Sequence, residues 1–375
     1  MTFLYSYKCS TRIACVTALA LATTLSFAWT PTGSMHTARA SHTATVLPNG
    51  LVLVAGGTGD SIGALASSEL YNPASGSWSA TAEMNDARVS ARAVLLPNGS
   101  VLTMGGCIVS DCLGQTTRSA EIYNPSTGKW TLTGSMRTAR AEFVAVLLPN
   151  GRVLVAGGCT SYDANGCLAV TTAAELYNPS TGAWSSTGAL RAGRMSMTAT
   201  VLTTGKVLIA GGQTAASDAL SSSELYNPAT GTFSLTGRLI TPRSGHTATL
   251  LRNGLVLMAG GENVSGVSIS KAELYNSTTG LYAATGNMPS TRQEHVAVLL
   301  PTGSVLVVGG NNVNLTTTTP LASCATYNPA TGTWTVASSM KTARADHTAT
   351  LLHNGHVLAA GGDNNSGELS SAELF

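Results

Sequence analysis

Seven arginines each lie 17 residues ahead of a Gly-Gly pair, and this spacing recurs along most of the 375-residue chain. Successive pairs begin 49 to 54 residues apart. A fixed period of this length predicts a propeller or a solenoid, in which each unit buries its apolar face against its neighbours. One closed body is therefore expected, although the length alone suggests several domains. The arginines are Arg39, Arg88, Arg140, Arg194, Arg243, Arg292 and Arg344, and the pairs begin at Gly56, Gly105, Gly157, Gly211, Gly260, Gly309 and Gly361.

The first repeat contains four short segments with the patterns of β-strands. Residues 42–47 alternate small or polar with apolar side chains, and residues 51–55 form an apolar run too short for a helix. Between them, Pro48-Asn49-Gly50 favours a tight hairpin, because Asn and Gly tolerate positive φ angles. Residues 68–71 and 78–84 flank a turn cluster. Four antiparallel strands without helical periodicity make one propeller blade.

Three recurring features resemble the kelch-repeat family. They are the Gly-Gly pair, the tyrosine of the Glu-Leu-Tyr segment, and an aromatic residue nine positions after the glutamate. The resemblance covers residues 29–375. These repeats resemble kelch proteins of the exported bacterial type and, more distantly, the central domain of galactose oxidase. It implies an all-β, seven-bladed kelch-type β-propeller with four antiparallel strands per blade. The aromatic series is Trp29, Trp78, Trp130, Trp184, Phe233, Tyr282 and Trp334.

The two ends of this region carry complementary pieces of one blade. Residues 29–35 have the pattern of a fourth strand without a preceding blade, and residues 373–375 have that of a third strand without its fourth. We predict that the N-terminal strand completes the last blade, which closes the ring and leaves no open sheet edge. Residues 29–375 then form a single domain of seven blades.

Residues 1–28 have the pattern of a secretory signal peptide. Lys8 and Arg12 form a basic segment, residues 13–27 are largely apolar, and Ser26-Phe27-Ala28 offers small residues for cleavage after Ala28. A membrane anchor is the alternative, but the apolar run is too short to span a bilayer. We expect a secreted, periplasmic or otherwise extracellular protein with no membrane insertion once the signal is removed.

The charge balance narrows the classes of partner. Without Lys8 and Arg12 the chain has 18 basic and 18 acidic residues, and no basic cluster is visible. Binding to nucleic acid depends on basic side chains that neutralise phosphates, so no nucleic-acid partner is expected. We expect a monomer.

Export makes disulfides possible, and five cysteines follow the leader. Cys107 and Cys112 share one short segment, and Cys159 and Cys167 share the equivalent segment of the next repeat. Neither pair has the spacing or the flanking histidine of a zinc site, so a disulfide within each segment is predicted. Cys324 is left over.

A glutamate also recurs, always 19 residues ahead of the next arginine. In each blade the arginine begins the first strand, Gly-Gly ends the second and the glutamate begins the third, so all three lie at one end. A structural pair is needed in every blade, whereas a catalytic pair is needed once, and a bidentate Arg–carboxylate pair beside Gly-Gly would staple the blade. Blade six has Ala325 instead, so Arg292 is either free for a ligand or bonded to another acceptor. The glutamates are Glu69, Glu121, Glu175, Glu224 and Glu273.

Insertions fall between Gly-Gly and the glutamate, on the face that also carries the arginine links. The opposite face carries short, nearly uniform turns, and variation on one face of a rigid scaffold is typical of a binding surface. Amide and carboxylate groups with an aromatic suit a polyhydroxy ligand. The candidate binding residues are Arg292, Tyr162, Asp163, Asn311, Asn312, Asn314, Asp363 and Asn364.

Four histidines follow the arginine by three residues, in blades that are neighbours in a closed ring. Imidazoles on adjacent inner strands could converge on a metal ion. The alternative is that they pack between blades, as inner-strand side chains near a propeller channel do, and no metal site is assigned. The histidines are His42, His246, His295 and His347.

Together these patterns favour a binding or scaffold module whose ligand is a protein or a glycan, without a cofactor. The alternative is a carbohydrate-active enzyme, either an oxidase or a mutarotase-like isomerase. Similarity to galactose oxidase implies a copper site with a cysteine-linked tyrosine, a second tyrosine followed directly by histidine, and a histidine from an added domain. This chain has no Tyr-His dipeptide, and no catalytic residue is assigned.

Overall fold

The computed structural model describes residues 28–59, 63–110, 112–113 and 115–375. Within these residues all regular structure is β, and seven four-stranded antiparallel sheets stand as blades around a central axis. The predicted seven-bladed kelch-type propeller is therefore confirmed. The predicted signal peptide lies outside the described residues, apart from Ala28. The described part of the chain contains no helix that could span a membrane.

Each blade follows the chain from the axis outwards. The first strands, which pack side by side around the axis, are Thr43–Val46, Arg92–Leu95, Val144–Leu147, Thr198–Val201, Thr247–Leu250, Val296–Leu299 and Thr348–Leu351. The second strands, which are buried along their length, are Val52–Ala55, Val101–Met104, Val153–Ala156, Val207–Ala210, Val256–Ala259, Val305–Val308 and Val357–Ala360. The third strands are Ser68–Asn72, Ala120–Asn124, Ala174–Asn178, Ser223–Asn227, Ala272–Asn276, Cys324–Asn328 and Ala372–Leu374. The fourth strands are Ser77–Thr81, Lys129–Leu132, Ala183–Ser186, Thr232–Leu235, Leu281–Ala284, Thr333–Ala337 and Thr30–Thr32.

Short hairpins extend some connections between the second and third strands. These connections, together with the links that carry the arginines, make up the loop-rich face, as the distribution of insertions predicted. The hairpins pair Thr58–Gly59 with Gly63–Ala64, Cys159–Asp163 with Gly166–Val170, Asn311–Val313 with Thr318–Pro320, and Asp363–Asn364 with Gly367–Glu368.

The ring closes through the N-terminal strand, as the complementary ends predicted. Thr30–Thr32 pairs antiparallel with Ala372–Leu374, in the register Thr30 with Leu374. Next to this pair, the ring of Trp29 packs on that of Phe375 with centroids 5.2 Å apart. Because both ends of the chain build one sheet, the last blade has no free third-strand edge.

Each blade is also locked to its neighbour by its recurring aromatic pair. In blade one, Tyr71 packs against Trp78 with ring centroids 5.0 Å apart. The Tyr71 hydroxyl lies 2.8 Å from Thr32 Oγ1, and Trp78 donates to the carbonyl of Gly33 at 2.7 Å, both in the preceding sheet. The same tyrosine–threonine bond recurs between further blades, so the apolar pair and its polar atoms stabilise the interface between blades.

The Gly-Gly pairs permit close backbone approach at the loop-rich end. Gly57 has a φ of 98°, and a Cβ there would overlap the carbonyl oxygen of Ala40. Ala40, which follows Arg39, forms a bridge with Thr58, and the equivalent bridge occurs in all seven described blades. In each blade, the residue that follows the arginine, such as Ala40, therefore lies beside the residue that follows the Gly-Gly pair, such as Thr58.

Candidate functional site

The recurring arginine and glutamate form a buried structural pair. In blade three, Arg140 Nη2 donates to Glu175 Oε1 at 2.9 Å, while Nη1 donates to the carbonyls of Gly157 and Ala173 at 2.7 and 2.8 Å. Both side chains are almost completely buried. Glu175 in turn accepts the backbone N–H groups of Arg137 and Thr138 at 2.7 and 3.1 Å. The pair thus holds the link between blades, and its predicted occurrence is confirmed in five blades and extends to Arg344 with Glu373. The expected bidentate geometry is wrong, because Nη1 donates to backbone carbonyls and only Nη2 reaches the carboxylate.

Arg292 has the second of the two roles that the sequence left open. Its side chain lies where the other arginines lie, and the residue is only 1% exposed. Nη2 donates to Ser290 Oγ at 2.7 Å, and this hydroxyl takes the place of the missing carboxylate. The bond from Nη2 to Ser323 Oγ, at 3.0 Å, recurs at the equivalent serine of four blades that keep the glutamate. Burial lowers the pKa of Arg292 to about 10. The guanidinium is enclosed by its own blade and does not line the channel mouth, so a ligand contact by Arg292 stays an untested prediction that the geometry does not favour.

The four histidines pack between blades. Nε2 of His42 lies 3.0 Å from Thr348 Oγ1, and His246 and His295 make the same contact with a threonine of the preceding blade at 3.1 and 3.0 Å. Desolvation lowers the pKa of all four histidines, that of His42 to about 3, so the rings are neutral. Among the described residues, no group of three or more His, Cys, Asp or Glu side chains could hold a metal ion. The packing interpretation therefore accounts for these histidines.

The residues two positions after each recurring arginine, one per blade, form a ring around the channel, and the sequence analysis did not predict it. Backbone bonds link neighbouring members, for example Ser41 N to Asp346 O at 2.9 Å and Glu294 N to Gly245 O at 3.0 Å. Every member has a positive φ, between 48° and 58°, which directs the side chain toward the axis and is uncommon for residues other than glycine. Aligning the repeats two positions after each arginine would have found this ring. Its members are Ser41, Ser90, Glu142, Ser196, Gly245, Glu294 and Asp346.

The ring surrounds a cavity of about 520 Å³ at the loop-rich end of the channel, which we call the channel mouth. The histidines and Arg92 also line it. An adjoining depression of about 290 Å³ shares Glu142 and Glu294 and extends under the loops of blades three to five. The channel mouth is thus composed of one residue from each blade, with a side pocket on one side.

Carboxylates dominate the charge of the channel mouth. Glu142, Glu294 and Asp346 belong to the ring, and Glu262 and Asp363 lie one layer outward. Desolvation, together with repulsion by the neighbouring carboxylates, raises the pKa of Glu294 and of Asp346. Desolvation also raises the pKa of Asp363. The carboxylates of the channel mouth therefore repel one another, which makes a positively charged group favourable beside them.

Tyr162 is the aromatic residue of the side pocket, so one of the predicted binding residues reaches the site. Its hydroxyl donates to Glu142 Oε1 at 3.0 Å, and Ser196 Oγ donates to Glu142 Oε2 at 2.6 Å. The loss of solvent on burial, and then the carboxylate of Glu142, raise the pKa of Tyr162. Arg92, which donates to the carbonyl of Phe143 at 2.8 Å, lies near enough to affect both groups electrostatically.

The other predicted residues divide between the site and the loops. Asn311 is buried, and its Nδ2 donates to Glu294 Oε2 at 3.2 Å. Asp363 belongs to the outer layer of the channel mouth, and Asn312 accepts a hydrogen bond from Thr291 Oγ1 at 2.9 Å. The remaining three stabilise turns by accepting a backbone N–H two residues later, at 2.8 to 2.9 Å, and do not line the channel mouth: Asp163, Asn314 and Asn364.

Two disulfides hold loops on this face. They join Cys107 to Cys112 and Cys159 to Cys167, the same two pairs that the cysteine spacing predicts. Cys167 is paired across the hairpin with Tyr162, so the second disulfide lies next to the side pocket. Cys324 is a free, buried cysteine.

Comparison with known proteins identifies the family. A family model described as the KLHDC2/KLHL20/DRC7 Kelch-repeats domain matches residues 143–362, and one described as the Kelch motif matches residues 88–137. The first match alone spans more than half of the chain. The chain therefore belongs to the kelch-repeat family, and kelch propellers are commonly protein-binding scaffolds.

Among solved structures, a fungal alcohol oxidase of the AA5 family, in complex with copper, has the same fold. The TM-score is 0.74 at 19% sequence identity, over 92% of this chain and 75% of the oxidase chain. At this identity the likeness concerns the fold alone. No curated protein sequence matches the chain.

The residues of the channel mouth do not fit a copper site of the galactose oxidase type. Three of the four histidines already contact a threonine through Nε2, and all four rings are buried between blades. The tyrosine of the site, Tyr162, is bonded to Glu142 rather than placed beside a histidine. The shared fold therefore carries a different set of side chains at its axis.

Proposed function

We propose that this propeller is a binding module that holds a protein or glycan ligand over the channel mouth on its loop-rich face. The observation that carries the proposal is the convergence of six polar ring residues, each from a different blade, on a single cavity of about 520 Å³; blade five contributes Gly245. A cavity of this size with a few convergent polar groups is typical of a ligand site. The structural arginines and histidines are buried, which leaves the ring and the loops to contact a ligand.

A carbohydrate-active enzyme is the second candidate function. It is favoured by one feature, the carboxylate of Glu142 held between the hydroxyls of Tyr162 and Ser196. A carboxylate and a hydroxyl in contact beside a cavity can exchange protons with a bound sugar. This candidate requires turnover, whereas the binding module does not.

We also propose that the protein is exported and acts as a monomer. The leader pattern of residues 1–28 supports export, and so do two disulfides, which persist in oxidising compartments. N-terminal sequencing of the protein recovered outside the cytoplasm should begin at Trp29. Recovery of a chain that retains residues 1–28 inside the cell would contradict this proposal.

The binding proposal is tested on the purified protein with a glycan array and a peptide library, each combined with variants. Glu294→Gln removes one charge of the ring, and Lys206→Ala changes an exposed residue in a turn of the opposite face. Ligands that bind the wild type and Lys206→Ala equally but bind Glu294→Gln more weakly support a site at the channel mouth. Binding that only Lys206→Ala weakens would move the site to the opposite face, and turnover of a captured sugar would favour the enzyme.

A further inference from the structure

The channel mouth offers carboxylate acceptors, and two of the three serines of the ring already donate to them, Ser196 to Glu142 and Ser41 to Asp346. The carboxylates of Glu294 and Asp346 line it, and Asp363, one layer outward, has an Oδ1 without a hydrogen-bond partner among the described residues. Arg92 is the basic side chain that lines the cavity, and its guanidinium already donates to the carbonyls of Phe143 and Ala91. A ligand that complements this surface must bring a positive charge and N–H donors.

Two deeply buried polar side chains beside these carboxylates also keep unused hydrogen-bonding atoms. Asn311 is 9% exposed, directs its Nδ2 to Glu294, and leaves its Oδ1 without a partner in the described structure. His347 lines the cavity, is 5% exposed, and bonds through neither ring nitrogen, because Val296 stands where the other histidines face a threonine. Buried polar groups are normally paired. Nδ1 of the other three histidines is also without a partner in the described structure, but only His347 lacks one at both ring nitrogens, so the channel mouth has free polar capacity beside its carboxylates.

The loops around the channel mouth add exposed apolar side chains. Ile108, Leu168, Val264 and Leu315 lie in the connections between second and third strands of four different blades and are 43%, 58%, 61% and 83% exposed. Single exposed apolar residues are ordinary, but these four stand in loops of the same face that carries the acidic cavity. Apolar contacts around a central charged pocket suit a protein surface better than they suit a free sugar.

We propose that the loop-rich face docks a protein partner that inserts a lysine or arginine side chain into the channel mouth, between Glu294, Asp346 and Asn311. The apolar stem of the inserted side chain passes the ring, and its ammonium or guanidinium group donates to the carboxylates and to Oδ1 of Asn311. The apolar loop residues then cover the segments that flank it. This inference rests on the proposed binding function and specifies the chemistry of the ligand.

A random twelve-residue peptide library, selected on the full protein, tests the inference and does not require an identified partner. Selected peptides are compared on Glu294→Gln and Asp346→Asn, and on Glu83→Gln, which removes the same charge from an exposed position on the same face away from the channel. We expect peptides enriched in lysine or arginine beside apolar residues, with binding weakened about tenfold or more by the first two variants. Glu83→Gln should leave their affinity unchanged.

Three results would overturn the inference. They are selected peptides without a basic residue, basic peptides that bind all variants equally, and no peptide that depends on the channel mouth. If a glycan binds and is lost in Glu294→Gln, the binding function stands and only the cationic protein partner is wrong. If neither peptide nor glycan responds to Glu294→Gln, the binding function at this cavity fails as well. Unchanged unfolding midpoints of the variants exclude loss of the fold as the cause.

Discussion

Replacing Arg140 by alanine should destabilise the protein far more than replacing Arg292. In Arg140→Ala the carboxylate of Glu175, which is 2% exposed, loses its counter-charge but stays buried. Stranding one partner of a buried ion pair costs about 3–5 kcal/mol of unfolding free energy. Glu175 still accepts hydrogen bonds from two backbone N–H groups in this variant. Because these bonds partly stabilise its charge, we expect a cost in the lower part of this range.

Arg292→Ala removes the same two kinds of backbone contact without stranding a charge. Nη1 of Arg292 donates to the carbonyls of Gly309 and Ser323 at 2.7 and 2.9 Å, as Arg140 does to its own pair. The additional bonds that Arg292 loses are those to neutral serine hydroxyls, and such hydrogen bonds contribute about 1 kcal/mol each. The lost apolar packing is alike at both positions. The two variants should therefore differ by about 1–2 kcal/mol, mainly through the carboxylate of Glu175.

Urea unfolding followed by circular dichroism measures both variants, and equal m-values show that the same surface is exposed. Glu175→Ala provides a matched control, because it copies Ala325 into blade three. That blade has Thr138 and Ala173 where blade six has Ser290 and Ser323, so the stranded guanidinium should make Glu175→Ala nearly as destabilising as Arg140→Ala. Equal losses for Arg140→Ala and Arg292→Ala would refute the assignment of the difference to the carboxylate.

Three further perturbations test closure of the propeller, the buried histidines and the Gly-Gly pairs. Deleting residues 29–35 should lower the midpoint of thermal unfolding of the whole protein, because it removes the fourth strand of the last blade; an unchanged midpoint in calorimetry would show that ring closure does not need this strand. As the pH falls from 6.5 toward about 3, buried neutral histidines such as His42 should destabilise the fold, since their folded pKa is lowered and the unfolded chain takes up more protons. Glu294 and Asp346 act in the opposite direction, because their pKa is raised. His295→Met, which copies the methionine that blade four has at the equivalent position, Met197, therefore isolates the histidine effect. Its free energy of unfolding should depend less on pH in acid than that of the wild type, and an unaltered dependence would contradict the effect. Gly57→Ala should lower the unfolding midpoint much more than Gly266→Ala, because the new Cβ overlaps Ala40 in one case and meets nothing within 4 Å in the other; similar midpoints would rule out close approach as the reason for Gly-Gly.

The blade was predictable because its determinants are local. The strands of one repeat pair with one another, so the alternation of residues 42–47, the Asn49-Gly50 turn and the aromatic pair of Tyr71 and Trp78 all act within about 40 residues. The buried Arg39–Glu69 pair was predictable for the same reason, since both residues lie at the same end of one blade. Seven copies of one pattern then made the propeller the consistent solution.

The replacement partner of Arg292 was less accessible. Ala325 shows from sequence that the carboxylate is missing, but not which group replaces it. Ser290 became the acceptor because the link between blades brings its hydroxyl to the guanidinium. Likewise, Tyr162, Asn311 and Asn314 all belong to connections between second and third strands. Only the path of each connection decides that two of them contact a carboxylate of the ring, whereas Asn314 stabilises its own turn.

The sequence by itself determined the number of blades, the strands within each blade, the closure by residues 29–35 and the buried charged pairs. The channel mouth was decided only by the tertiary structure. Its ring takes one residue from each repeat. Those residues are about 50 positions apart in the chain, so no interaction between sequence neighbours brings them together. Closure of the propeller brings Glu142, Glu294 and Asp346 into one cavity. There, lost solvent and repulsion between carboxylates raise the pKa of Glu294 and of Asp346.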